Sequence, residues 1–333
     1  MYTTMSREQR RLVESMRSTV ADYGDVLRAR DQFAGGMQWL TVKGNQYLTR
    51  YRRDPESGNK KAVSLGRRSP ETEAIHEKFM KSRAELDARI AQLRPAMAEQ
   101  ARMAKALRLS RAPSEVGEVL RAIGTSDLLD HVTLVGEASV YAYENEMTSL
   151  LPREVLPDEG LDLLVAGVRA VDSMDALVMV LKRARIDVRP GCARGNDAAE
   201  LRTGENLKIR LFTSSSIELM VDDYESSSAS NAPRWVSEQT PIRSVVIDRS
   251  GRAASVSVLE PRAWCILRCV VLDMEEMSVG RREASAELVS ATARMIRDRW
   301  PEPFAEEQVY GFRPLQEALE GDDGLPPATS LRR

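Results

Sequence analysis

Six short apolar runs between His131 and Pro261 constrain this chain more than any other feature of it. They cover residues 132–135, 161–166, 207–212, 216–221, 242–247 and 254–259. Each is of strand length and too short for a buried helix, and turn residues or helical patterns separate them. Gly136 stops the first, and Ser250-Gly251 forms the turn between the last two. Helical patterns follow the first two runs, over 137–150 and 173–185, and return after the last at 261–272, 283–300 and 312–319. Strand, helix, strand, helix, then mixed strands and terminal helices is the order of an α+β domain built on a small mixed sheet.

Ahead of this region the pattern is different. Residues 5–30 read as a helix, with Leu12, Met16 and Val20 at helical spacing, and Gly35-Gly36 breaks it. The segment 37–52 alternates apolar and polar residues around Lys43-Gly44-Asn45, which predicts a hairpin with a Gly-Asn turn, and 54–61 reads as a polar loop. Ser69-Pro70-Glu71-Thr72-Glu73 is a helix start, with a Ser cap, Pro at the first helical position and acids in the first turn. That helix runs to about residue 109, with a bend expected at Pro95, and a short helix follows over 114–123. A single core rarely grows past about 250 residues. The 333 residues therefore divide into a basic N-terminal region over 1–125, a sheet-bearing domain over 126–260, C-terminal helices over 261–320 and a flexible tail over 321–333.

The net charge of -2 conceals an asymmetry. Residues 1–110 hold 22 Lys+Arg against 13 Asp+Glu, and the remainder holds 26 against 37. A basic segment joined to an acidic one suits a nucleic-acid or phosphate-bearing partner, and equally suits docking of the two halves. Lys43, Arg50, Arg52, Arg53, Lys60, Lys61, Arg67 and Arg68 lie on or beside the hairpin, with Trp39, Tyr47 and Tyr51 interleaved. Cations hold phosphates and aromatics stack on bases, so the hairpin is a candidate RNA or DNA surface. The alternative is that Trp39 and Tyr47 pack it on the long helix while the arginines are solvated. Three cysteines, Cys192, Cys265 and Cys269, make no disulfide framework and read as buried thiols. Two histidines argue against a His-rich metal site or Ser-His-Asp chemistry. No apolar run approaches a membrane span, the start lacks a signal-peptide core, and a cytoplasmic protein is expected.

One constellation carries chemistry. A strand ends in Gly136 and leads into a helix, a second strand carries Asp162, and a third carries Glu218. Nucleotidyl transfer needs a glycine where backbone amides and a helix start can approach a triphosphate. It also needs carboxylates on neighbouring strands to hold two divalent ions about 3.5 to 4 Å apart.

At these residues the chain resembles a bacterial family of polymerase-β-like nucleotidyltransferase-fold proteins, the GSU-type nucleotidyltransferase domain group. The resemblance runs from about Gly36 to Leu319. It rests on Trp39 with Tyr47-Leu48 and Arg50, on the string 63–73, on Leu134-Val135-Gly136 with Tyr141-Ala142-Tyr143-Glu144, and on Leu161-Asp162-Leu163-Leu164. It implies Mg or Mn held by Asp162 and Glu218, a triphosphate bound near Gly136, Glu137 and Arg268, and an NTP as donor. Three departures fall on that chemistry. Glu137 follows Gly136 where the family has Ser or Thr. Gly160 stands at the first acid of its Asp-x-Asp, with Glu159 as a candidate substitute. Arg268 replaces a lysine, keeping charge but not geometry. Asp222 and Asp223 are the next candidates for the third acid after Glu218. Two functions follow from the resemblance. One is Mg-dependent transfer of a nucleotide from NTP to an RNA or protein acceptor gripped by Lys43, Arg50, Lys61, Arg67 and Arg68. The other is an inactive module that binds nucleic acid or a partner protein through the basic half.

Overall fold

The computed structural model describes residues 2–53, 59–158, 160–165, 170–191, 199–213, 235–236, 238–274, 277–309 and 312–319. The expected strand 216–221, the tail 321–333, Cys192, Glu159, Glu218, Asp222 and Asp223 lie outside them. The chain divides into two compact units, Met1–Ser18 with Gln100–Arg333, and Thr19–Glu99.

The smaller unit is built from the second half of α1 (Arg7–Asp31), most of α2 (Pro70–Ala106), and a three-stranded antiparallel sheet of β2 (Gly36–Val42), β3 (Asn45–Arg53) and β4 (Lys60–Arg67). Val42 pairs with Asn45, so the turn is Lys43-Gly44, both at positive φ, as a two-residue hairpin turn requires. The Gly-Asn turn expected from the sequence is therefore displaced by one residue. Lys60 and Lys61, expected in a loop, begin β4. Seven of the eight β4 residues are exposed, so no apolar alternation marks it in the sequence. One sheet face packs on α2: Leu48 is fully buried, the Trp39 ring meets the His76 ring at 5.8 Å in a tilted contact, and the Arg50 guanidinium lies over Phe79. Phe33 meets Phe79 at 5.4 Å, and Arg30 pairs with Asp87 at 2.6 Å. α2 continues through Pro95, whose missing N–H removes one helical hydrogen bond.

Among the described residues the larger unit holds a seven-stranded mixed sheet in the order β11-β12-β5-β7-β10-β9-β8. Its strands are β5 (Val132–Leu134), β7 (Leu161–Val165), β8 (Val188–Pro190), β9 (Ala199–Thr203), β10 (Lys208–Thr213), β11 (Ile242–Ile247) and β12 (Ala253–Val258). β7 runs antiparallel to β5 and parallel to β10. Leu161, Leu163 and Val165 alternate into the core, which leaves Asp162 and Leu164 on the other face. Other helices among the described residues of the unit are α3 (Ser114–Gly124), α5 (Ala170–Arg183), α6 (Pro261–Met274), α7 (Val279–Arg299), α8 (Glu306–Val309) and α9 (Arg313–Leu319). No helix among the described residues is long and apolar enough to cross a membrane. The helix expected over 137–150 is a 3-10 turn, Glu137–Ser139, followed by α4 (Val140–Glu146). It stops because Thr148 takes φ 48°, turning the chain into β6 (Ser149–Leu150), which pairs with β1 (Thr3–Thr4). The architecture is α+β, a mixed sheet with helices, as the order of patterns predicts.

Candidate functional site

β5 and β7 are sheet neighbours, and this brings Gly136, two residues past the end of β5, against Asp162. The amides of Val135 and Gly136 donate to the Asp162 carbonyl at 2.9 and 3.3 Å. A Cβ on Gly136 would stand 2.6 Å from the Asp162 Cβ and 2.7 Å from its Oδ2, so only glycine lets the carboxylate lie this close. The Gly136 carbonyl is held by the Trp264 indole N–H at 2.8 Å.

Asp162 is 13 % exposed, and its register partner on the parallel strand β10 is Arg210. The Arg210 Nε donates to Oδ1 and a terminal nitrogen to Oδ2, both at 2.7 Å, a bidentate pair. Arg268 approaches Oδ2 to 3.8 Å. Burial alone would raise the carboxyl's pKa, but the hydrogen bonds and charge of Arg210, with Arg268 and Lys208 behind it, hold it below the usual aspartate value.

Glu137 is buried and also fully engaged. Its Oε1 accepts from Arg268 at 3.0 Å and from the Ser285 hydroxyl, and its Oε2 accepts from Arg281 at 2.8 Å. Arg268 sits on α6, whose residues 261–272 are all buried, so its charge must be met inside the protein. Glu137 and Asp162 meet it, while Arg268 Nε has no partner among the described residues. Glu137, one residue past the strand-ending glycine, is thus the counter-ion of a buried helix arginine.

Gly160 precedes β7 at φ 85°, a conformation that an aspartate adopts only with strain. The sequence pattern treats it as a strand position facing the same side as Asp162, and the structure makes it the turn into that strand.

These contacts bear on a divalent ion. Mg²⁺ takes near-octahedral oxygen ligands at about 2.0 to 2.1 Å. Here both Asp162 oxygens and both Glu137 oxygens already accept from guanidinium groups, and no group of three or more His, Cys, Asp or Glu able to hold a metal occurs among the described residues. A doubly charged ion about 4 Å from one guanidinium is repelled by roughly 8 kcal/mol at the effective dielectric of a protein surface. Among the described residues three arginines thus surround the two carboxylates, and the other ligands expected from the sequence, Glu159 and Glu218, lie outside them.

Asp162, Gly136, Glu137 and Arg268 are therefore together, as the sequence suggests, and Arg210, Arg281 and Ser285 join them. Arg210 has a faint signal in the sequence, two cations at i and i+2 in Lys208-Ile209-Arg210. Only the pairing of β10 with β7 tells that they share the face of Asp162.

The acceptor candidates lie in the smaller unit. Lys43 is exposed at the hairpin turn, and Lys61 is exposed on β4. Arg50 donates to the Gln32 carbonyl at 2.7 Å on the helix side of the sheet. Arg67 donates to Asn45 at 2.5 Å. Arg68 pairs with Glu73 and lies over Trp39.

Fold and site define an α+β domain with a carboxylate and a strand-ending glycine side by side on two adjacent central strands. The family model described as Nucleotidyltransferase matches residues 114–309, more than half the chain, and the chain belongs to that family. Comparison with curated proteins and with solved structures gives no match.

Proposed function

We propose that this nucleotidyltransferase-family protein binds a nucleoside triphosphate without a divalent ion and does not transfer its nucleotide. The observation that carries this reading is the bidentate grip of Arg210 on Asp162 from the neighbouring parallel strand, which engages both oxygens that a metal ion would draw on. Three guanidinium groups against two carboxylates leave a net positive charge, which suits a phosphate group. Gly136 and Glu137 shape the site, Glu137 by orienting Arg268 and Arg281. A cytoplasmic setting belongs to the same proposal, supported by the free buried thiols of Cys265 and Cys269.

The competing reading is Mg-dependent transfer with Asp162, Glu218 and Glu159 as ligands, and it requires Arg210 to release Asp162. Calorimetry with each NTP in EDTA, beside transfer assays with labelled NTP and Mg or Mn, separates the two. The expected result is NTP binding that metal does not strengthen and no incorporation. Metal-dependent incorporation that disappears in Asp162→Asn overturns it. Gly160→Asp alone is expected to leave metal binding undetectable, because Arg210 remains on Asp162.

A further inference from the structure

The three strands of the smaller unit, residues 36–42, 45–53 and 60–67, contain six Lys or Arg and no Asp or Glu, and Lys43 adds a cation at the turn. The unit as a whole is only mildly basic, with 15 Lys+Arg against 11 Asp+Glu in residues 19–99, so the positive charge is concentrated on the sheet. Cross-strand register sorts its residues. The rows Met37-Arg50-Val63 and Trp39-Leu48-Gly66 face α2, as the contacts of Trp39 with His76 and of Arg50 with Phe79 show. The rows Gly36-Tyr51-Ala62, Gln38-Thr49-Ser64 and Leu40-Tyr47-Arg67 make the opposite face.

That opposite face has the parts a base-and-phosphate polymer needs. Tyr47, half-buried, lies between Leu40, 41 % exposed, and the exposed Arg67. Tyr51, four residues on, is half-buried and carries the Lys60 ammonium 3.8 Å from its ring centre. Lys60 is exposed and held in place by the ring, so it is a fixed phosphate contact, while Tyr47 is the platform left for a base. At the turn end of the sheet an open depression of about 590 Å³ is lined by Thr41, Asn45 and Arg67, and on the α2 side by Arg68, Pro70 and Glu73. We propose that this face binds single-stranded nucleic acid, with one base stacked on Tyr47 and phosphates held by Lys43, Lys60 and Arg67. A duplex offers no unstacked base to Tyr47, and an acidic protein or an anionic membrane gains nothing from a stacking platform.

The test is fluorescence anisotropy of the full chain with labelled oligothymidylate, an abasic strand of equal length, the matching duplex, and vesicles of mixed phosphatidylserine and phosphatidylcholine. The expected result is tightest binding to oligothymidylate, with the abasic strand about tenfold weaker. The logarithm of affinity should fall with that of salt at a slope near -2, about -0.7 for each of three phosphates. Tyr47→Ala should weaken oligothymidylate about tenfold, to the abasic level, while Tyr47→Phe keeps wild-type affinity. Lys43→Asn, which suits the left-handed turn, should reduce the salt slope by about 0.7 and serves if Tyr47→Ala unfolds. Equal affinity for the abasic strand, an inert Tyr47→Ala in a folded protein, or preference for vesicles or duplex overturns the proposal.

Discussion

Removing the guanidinium of Arg210 leaves the Asp162 carboxylate, 13 % exposed, without its bidentate partner and with Arg268 at 3.8 Å. Breaking such a pair from one side is costly because it strands a desolvated charge, whereas replacing both partners by apolar side chains is often neutral. Arg210→Ala is therefore expected to lower unfolding free energy by about 3 kcal/mol, and Asp162→Leu with Arg210→Met to recover most of it in urea melts. Additive losses in that double variant would mean the two side chains do not form a coupled pair. Glu144 gives a second prediction. It is almost wholly buried and receives Arg111 at 2.7 and 2.9 Å and the Leu151 amide at 2.7 Å. Burial pushes its pKa up to about 7 against the opposing pull of Arg111, the Leu151 amide and Arg153. A carboxyl that holds its proton more tightly folded than unfolded adds stability in full below the unfolded pKa and loses it as pH rises through the folded one. The melting temperature should thus carry a component that falls between about pH 4.5 and 7, worth at most about 3 kcal/mol. Glu144→Gln should lack that component, and an unchanged profile in the variant would assign it elsewhere. Asp162 acts with the opposite sign in a lower window, since its depressed pKa gives stability that is lost as pH falls below the usual aspartate range.

At the scale of elements, what the sequence makes legible is what is buried on one side or capped. β11 and β12 alternate or run apolar and lie where their patterns predict, and α2 begins at Pro70, behind a Ser69 whose hydroxyl accepts from the Thr72 amide while its own amide donates to the Thr72 hydroxyl. β4 escapes notice because edge strands that face solvent need no apolar pattern. α4 is shorter than its apolar run suggests because pairing of β6 with β1 joins residues 149–150 to 3–4, a contact that no local pattern encodes. The candidate site divides in the same way. Gly136, Glu137, Asp162 and Arg268 stand out as chemical types within local patterns. Arg210 and Arg281 do not, because their relation to the carboxylates is set by which strand lies beside β7 and by how α7 returns to the 3-10 turn after β5. A glycine at 160 looks like a lost acid in one dimension and is a left-handed turn residue in three.

The molecule as a whole contains two cores of unequal size. In Thr19–Glu99 the fully packed apolar side chains are few, chiefly Val20, Leu48, Phe79, Ile90 and Leu93. In the larger unit β5, β7, β10 and β12 are lined by buried aliphatic residues on a mixed sheet, and α6 is buried from Pro261 to Leu272. Amide protection follows the free energy of the opening that exposes each hydrogen bond, so strands over a small core exchange through partial opening and those in a large one wait for global unfolding. Hydrogen exchange read by mass spectrometry should therefore show β3 and β4 protected by markedly less free energy than β7 and α6. Added denaturant should bring the two sets together only as the larger unit unfolds. Equal protection throughout, with a single denaturant response, would mean that the sheet of the smaller unit opens only with the larger core, and that the two units fold as one cooperative body.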